Sequence, residues 1–333
     1  MELPQQIKIG LEAQLHGVSR RELARRAAQL STGYRAASAS QAVITTPQDA
    51  LAYAVARMPA TYAATATALA KMSERIPNFH PKSVLDLGGG PGTATFAALE
   101  LWPGIERITI VERNAQFRGL AKAILDTSGN PALASALLLS DDLTAPRQDW
   151  PAADLVVASY VGVELPEPAA RALAQIALAK SRRVVVLVEP GTPAGFARIH
   201  MARDELSRLE AVPVAPCPHA RACPIVAPDW CHFSVRLARS RDHRLAKGAD
   251  APFEDERFSY LAVQRGSELP GAEARIVAQP HASKIGIEFR LCTPSGLVEC
   301  SISRRDQALW KAARRLGWGD LLPDNDASSP MEP

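Results

Sequence analysis

Aromatic residues make up only 5% of this 333-residue chain, too few for a platform that stacks the successive bases of a single strand. No apolar run approaches the roughly 18 residues that cross a bilayer. The start, Met1 to Gly10, has neither a basic stretch leading into an apolar one nor an Arg-rich, acid-poor transit pattern, so the expected location is cytoplasmic. Cysteine is scarce, with five residues; in a reducing compartment they argue against a disulfide framework and leave metal binding, catalysis or packing. No internal repeat is visible. What is present is an apolar fraction of 47%, ordinary for a globular chain and enough to bury a sizeable core in two or three domains.

The formal net charge of +3 hides a distribution. Residues 1–80 hold nine Lys and Arg against five acids, 81–216 hold thirteen against fifteen, 217–316 hold sixteen against eleven, and 317–333 hold four acids and no base. The segments are therefore +4, −2, +5 and −4, which points to the flanks rather than the middle as the parts that meet an anionic partner.

The first 80 residues read as helices. Ser19 followed by Glu22 forms a capping-box pattern ahead of an Arg-rich segment to Gln29, and Thr46-Pro47 with Asp49 opens an alanine-rich run to Lys71. From Lys82, short β-rich runs alternate with helix-length stretches: Val84 to Leu87, Arg107 to Val111, Ala136 to Leu139, Leu155 to Ala158 and Arg183 to Val188. That alternation predicts a parallel sheet with helices on both faces. Between Ala211 and Asp229 the periodicity gives way to Pro, Cys and His, which predicts a loop-like insertion. Strand patterns return at Cys231 to Leu237 and Phe258 to Val263. A β-hairpin is expected over Lys284 to Leu291 and Leu297 to Ser303, followed by an amphipathic helix from about Arg304 to Leu316.

The stretch Val84-Leu85-Asp86-Leu87-Gly88-Gly89-Gly90-Pro91-Gly92-Thr93 runs from a strand through a glycine-rich turn into a helix. Glycines there let the backbone approach a ligand at the positive end of the helix dipole. Thr93 occupies the sixth position, so the dinucleotide fingerprint G-x-G-x-x-G fails. The form G-x-G-x-G, with Asp86 just before it, instead resembles the first motif of Rossmann-like S-adenosylmethionine-dependent methyltransferases. That resemblance implies that Asp86, Gly88, Gly90 and Gly92 are cofactor-binding residues, with the turn lying against the methionine part of the cofactor. It also implies that Glu112, at the end of the next strand, accepts hydrogen bonds from the ribose hydroxyls, and that Asp141 and Asp142 contact adenine.

Methylation of an exocyclic amine in nucleic acid commonly uses a polar residue, two prolines and an aromatic ring after the fourth strand. Here that place reads Ala158-Ser159-Tyr160-Val161-Gly162, without the prolines. Tyr160, able to stack on a base, and Glu164, able to take a proton, are the catalytic candidates, and whether methyl transfer occurs stays open.

Cys217, Cys223 and Cys231 follow a C-x5-C-x7-C spacing, two of them before proline, and Cys292 lies in the later hairpin. Four thiolates suit either Zn²⁺ or an iron-sulfur cluster. The spacing is not the tight C-x2-C of zinc ribbons, and His219 and His232 leave a mixed Cys/His zinc site open. Cys300, inside a hairpin strand, reads as a packing residue.

The runs Ala215-Pro216-Cys217-Pro218-His219, Cys223-Pro224 and Asp229-Trp230-Cys231-His232-Phe233-Ser234 resemble the methyltransferase-like assembly factors of the small ribosomal subunit, best known from mitochondria and present in bacteria. Further matches are Glu189-Pro190-Gly191-Thr192-Pro193-Ala194-Gly195-Phe196, Lys247-Gly248, Phe258-Ser259-Tyr260, Leu291-Cys292 and Trp318-Gly319-Asp320, so the resemblance covers most of the chain from Ser31 to Pro323. It implies a methyltransferase fold, a [4Fe-4S] cluster on Cys217, Cys223, Cys231 and Cys292, and association with the immature small subunit through its rRNA. Arg236, Arg239, Arg241, Arg244 and Lys247, five bases against the single acid Asp242, then become the expected phosphate contacts, and folded RNA read by shape is the expected partner.

The expected architecture is α/β, a Rossmann-like methyltransferase fold with N-terminal helices and a small C-terminal β-hairpin and helix module. Its parts are a helical segment at 1–75, a core at 76–265 with a cluster loop at 211–231, the C-terminal module at 266–323 and a disordered tail at 324–333. The expected function is a monomeric small-subunit assembly factor, without membrane contact, that binds S-adenosylmethionine, an iron-sulfur cluster and rRNA. Two other readings stand beside it: an active rRNA or small-molecule methyltransferase with no assembly role, and a zinc-stabilised RNA-binding module with a vestigial cofactor pocket.

Overall fold

The computed structural model describes residues 1–35, 40–266 and 274–322. Five helices lead the chain: α1 (Gln5–Leu15), α2 (Arg20–Arg35), α3 (Ser40–Val43), α4 (Pro47–Ala56) and α5 (Met58–Ser73). Thr46 caps α4 with the complete reciprocal box, accepting from Asp49 N while the Asp49 carboxylate accepts from Thr46 N. At Ser19 only half of the box forms: its hydroxyl accepts from Glu22 N, and the Glu22 carboxylate turns to Arg25 and Arg26. The alanine-rich run expected to continue to Lys71 is broken at Arg57, because Pro59 has no N–H to give to α4 and instead fits the first turn of α5. Ile7, Leu11 and Leu23 belong to the same apolar cluster as Val84, Ile108 and Val186, so the leading helices share the core of the sheet.

The sheet is built from β1 (Ser83–Leu87), β2 (Arg107–Val111), β3 (Leu137–Leu139), β4 (Ala153–Ser159), β5 (Ser181–Pro190), β6 (Val212–Ala215), β7 (Phe233–Ala238) and β8 (Phe253–Gln264). Its order is β3-β2-β1-β4-β5-β8-β6, with β7 also on β8. The first five strands are parallel and β8 runs antiparallel to β5. Between them run α6 (Thr93–Leu101), α7 (Ala115–Asp126), α8 (Pro131–Ala134), α9 (Glu167–Lys180), α10 (Pro193–Arg208) and α11 (Arg241–Lys247). Side chains alternate across the sheet: Val84, Leu155, Val157, Val184 and Val186 enter one core, and Leu85, Leu87, Val156, Val185 and Leu187 the other. Both faces are therefore covered, as a doubly wound α/β sheet requires. This is the Rossmann-like methyltransferase architecture expected from the sequence.

β6 was not expected. It is a four-residue edge strand carrying Pro213, too short and too proline-rich to show a period-2 signal. Because β6 and β7 pair with the same edge of β8, residues 216–232 leave and rejoin the sheet on one strand. A second sheet holds β9 (Ala274–Ile276), β10 (His281–Ala282), β11 (Gly286–Thr293), β12 (Gly296–Ser303) and β13 (Leu321–Leu322), with β11 and β12 forming the expected hairpin. α12 (Gln307–Ala313) is shorter than expected, because Asp306 accepts from Leu309 N and starts the helix there. The tail at 324–333 lies outside the described residues. No helix among the described residues is long and apolar enough to cross a membrane.

Candidate functional site

Strand order reverses between β1 and β4, and in such sheets ligands bind at the carboxyl ends of the strands flanking the switch. A cavity of about 160 Å³ lies there, lined by the loop Gly88–Pro91, by Glu112, Asn114 and Asp142, and by Ser159, Tyr160 and Glu164, with Tyr53 and Phe117 forming an aromatic wall. Gly88 and Gly90 have φ of 71° and 55°, in the left-handed region that favours glycine. A Cβ on Gly88 would come within 2.6 Å of Val161, whereas one on Gly90 would meet nothing within 4 Å. The backbone at Gly90 is thus open to close approach, which suits a cradle. Gly92, at φ 88°, ends the turn and opens α6.

Asp86 is fully buried and braces this loop: Oδ2 accepts from Thr95 N at 3.0 Å and Thr95 Oγ1 at 2.8 Å, while Oδ1 has no hydrogen-bond partner. Burial pushes its carboxyl up to about 6. Glu112 accepts from Gly90 N at 2.9 Å and from Asn114 N at 2.7 Å, tying the first two loops together. Burial pushes it up to about 7, against the pull of those two amides. Of the expected adenine-side pair, only Asp142 lines the cavity, where it accepts from Thr144 N and pairs with Arg113 at 2.8 Å. Asp141 instead accepts from Trp150 Nε1 at 2.8 Å.

After β4, Tyr160 has a φ of 59°, rare for a residue with a Cβ and a mark of local strain. Its hydroxyl donates to Glu256 Oε1 at 2.8 Å, and Glu256 lies 3.6 Å from Arg57. Glu189 at the end of β5 was not singled out as a site residue, although it lies in a matched segment. Its two oxygens accept from Gly162 N and Val163 N and fix the turn carrying Glu164. Burial pushes Glu189 up to about 8. Gly162 is needed there because a Cβ would fall 2.6 Å from that carboxylate.

Cys217, Cys223, Cys231 and Cys292 line a second, smaller cavity beneath residues 216–232. Three come from the excursion off β8 and the fourth from β11. Cys300, on β12, packs against the small core of the second sheet and is not among the lining residues. Burial pushes the Cys231 thiol well above its usual range, Cys292 up to about 12, and Cys223 upward. His219 Nε2 lies 3.7 Å from Cys292 Sγ, and His232 stacks on Trp230. Among the described residues no three His, Cys, Asp or Glu side chains gather at the spacing of a single metal ion's ligands. Two buried guanidiniums face the cavity, for which the sequence offered no signal. Arg203 Nε donates to Cys217 Sγ at 3.4 Å, and Arg203 Nη2 to Arg221 O. Arg275 donates to Pro216 O and Gly319 O, each at 2.7 Å, and its Nη2 is buried without a hydrogen-bond partner. Neither has a carboxylate ion-pair partner among the described residues. Buried charges are normally paired, so this cavity is built for negative charge.

The expected phosphate contacts are largely occupied. Arg236 pairs with Asp255 at 2.8 Å, and Arg239 and Lys247 both pair with Glu254 at 2.6 Å. Arg241 and Arg244 remain exposed on α11.

The family described as mitochondrial small ribosomal subunit Rsm22 matches residues 47–323, as the resemblance implied. The human protein named ribosome assembly protein METTL17, mitochondrial, is 30% identical over 291 residues, 82% of this chain and 62% of its own length. Rsm22-cox11 tandem protein 2, mitochondrial, from Schizosaccharomyces pombe is 26% identical over 85% of this chain and 44% of its own length. The chain therefore spans less than two thirds of these relatives. Among solved structures, a magnesium protoporphyrin IX methyltransferase from Synechocystis with bound S-adenosylmethionine superposes with a TM-score of 0.39 and 14% identity, over 67% of this chain and 85% of that one. The cytoplasmic location expected above is corrected by these matches, since the family and both relatives are described as mitochondrial. That expectation rested on the composition of Met1 to Gly10, of which Gln5 to Gly10 belong to α1 with Ile7 and Gly10 buried.

Proposed function

Because the chain belongs to the Rsm22 family of mitochondrial small ribosomal subunit proteins, we propose that it is a small-subunit assembly factor that binds S-adenosylmethionine, a [4Fe-4S] cluster and rRNA. The observation that carries this reading is the four-cysteine cavity. Thiols from two distant parts of the chain converge on it, and the buried Arg203 and Arg275 face it. A cluster held by four thiolates is anionic overall and larger than a single ion. It suits the two guanidiniums. Cys217, Cys223, Cys231 and Cys292 would hold it, tying the second sheet to the edge of the first.

S-adenosylmethionine, when bound, supplies an electrophilic methyl group. The backbone at Gly88 and Gly90 would cradle its methionine part, Glu112 would accept from its ribose hydroxyls, and Asp142 stands on the adenine side. Support for transfer is weaker than for binding. The polar-proline motif is missing after β4, and the hydroxyl of Tyr160 is already engaged by Glu256.

Anaerobic purification with iron, sulfide and zinc analysis, calorimetric titration with S-adenosylmethionine, and co-sedimentation with small-subunit precursors test the proposal together. The expected result is iron and sulfide in equal amounts, saturable cofactor binding and co-sedimentation. Zinc without iron, and no cofactor binding, would establish the zinc-stabilised module instead. Methyl transfer to isolated RNA or a metabolite without co-sedimentation would establish the enzyme.

A further inference from the structure

Several bases of the positive flanks noted in the sequence are held in ion pairs once the chain is folded. On α2, Arg20 pairs with Asp242, Arg25 with Glu22, and Arg26 with Glu22 and Asp49. On β7 and α11, Arg236, Arg239 and Lys247 are taken up by β8 carboxylates. A different segment keeps its charge. Arg304, Arg305, Lys311, Arg314 and Arg315 are all exposed, and among the described residues none has a carboxylate within ion-pair distance. The only acid among residues 304–316, Asp306, is turned back to cap α12.

The segment is held in a fixed orientation. Ala313 is buried, and Trp310 and Leu316 pack against the small core of Ile276, Phe289 and Leu291. Lys311, Arg314 and Arg315 follow one another at i+3 and i+4, so they share the outward face. The Arg304 guanidinium sits 4.8 Å over the Trp310 ring, holding the turn before the helix. Four of the five bases are arginines, whose planar forks match phosphate oxygens two at a time.

We propose that the exposed basic face formed by Arg304, Arg305, Lys311, Arg314 and Arg315 is the surface by which this protein grips the phosphate backbone of folded RNA. The inference rests on the rRNA reading above and relocates its contact from α11 to the C-terminal sheet. The face carries one ring, Trp310, already covered by Arg304, so it reads backbone shape rather than stacked bases. It sits on the same module as Cys292 and Arg275, so that module joins RNA contact to the cysteine cavity.

The test is filter binding of the full chain to purified small-subunit rRNA over a range of KCl concentrations, with tryptophan fluorescence as the check on folding. Each phosphate contact contributes about 0.7–0.9 to the slope of log affinity against log salt. Replacing all five bases by Gln should flatten that slope by about 3.5–4.5 and weaken binding most at low salt. Changing the four arginines to Lys should keep the slope, since the contact is one of charge. If the fivefold variant does not fold, each single Gln variant should flatten the slope by about 0.8. A folded fivefold variant with the wild-type slope overturns the surface assignment while leaving RNA binding intact, as does a loss carried wholly by Arg241→Gln with Arg244→Gln. A wild-type chain that binds anionic phospholipid vesicles but no rRNA overturns both this surface and the rRNA reading it rests on.

Discussion

Glu112, proposed above as the acceptor for the ribose hydroxyls, already has two partners in the structure. Without cofactor its carboxylate holds the amides of Gly90 and Asn114, and burial lifts it to about 7. Accepting from ribose hydroxyls calls for the ionised form, which is the minor form below 7 and the major form above it. Apparent affinity scales with the competent fraction, so S-adenosylmethionine should bind about tenfold more tightly at pH 8 than at pH 6. Calorimetry at the two values checks this. Glu112→Gln should weaken binding and remove the pH dependence; a Gln variant that keeps the same pH profile would assign it to another group. Asp86, legible as part of the glycine motif, lines the cavity and also braces the loop, since its Oδ2 bonds to Thr95. Glu189 does the same for the turn after β4, and nothing local in the sequence says which backbone amides a carboxylate will meet.

Among the elements, the parallel strands and the glycine turn were readable because their signals are local: apolar runs of the right length, and glycines where φ must be positive. β6 was not readable, and neither was the neutralisation of Arg236 and Arg239. Their partners stand across the β7–β8 ladder, where Arg236 faces Asp255 and Leu237 faces Glu254, pairings that exist only once the strands are in register. The spacing of the first three cysteines, with Cys292 in the later hairpin, read as one constellation of four thiols in the sequence, and the structure brings all four to one cavity. The position of Cys292 on β11 makes that hairpin the element that closes the cavity. Cys292→Ser should lower bound iron and expose the C-terminal sheet to protease, measured on the anaerobically purified chain. Unchanged iron content together with unchanged digestion would remove Cys292 from the ligand set.

In the molecule as a whole, the second sheet is fastened to the first by polar links, of which the one made by Arg275 is buried. Arg275 bridges Pro216 and Gly319, Lys71 pairs with Asp320 at 2.7 Å, and Arg290 pairs with Asp229 at 2.5 Å. Exposed pairs of this kind contribute little, whereas removing Arg275 strands two carbonyls that now have a buried donor. Arg275→Met is therefore expected to cost about 2–4 kcal/mol, read as a lower urea midpoint, while Lys71→Met should cost less than about 1 kcal/mol. The double anchorage of residues 216–232 on β8 has a thermodynamic meaning as well. Bringing the ends of a free segment of that length together costs on the order of 2–3 kcal/mol of chain entropy, and here the ladder of β8 with β6 and β7 meets that cost when the sheet forms. Three thiols are thus gathered by the sheet itself, and under the cluster reading proposed above the affinity of the site would be tied to the integrity of a strand that carries none of them.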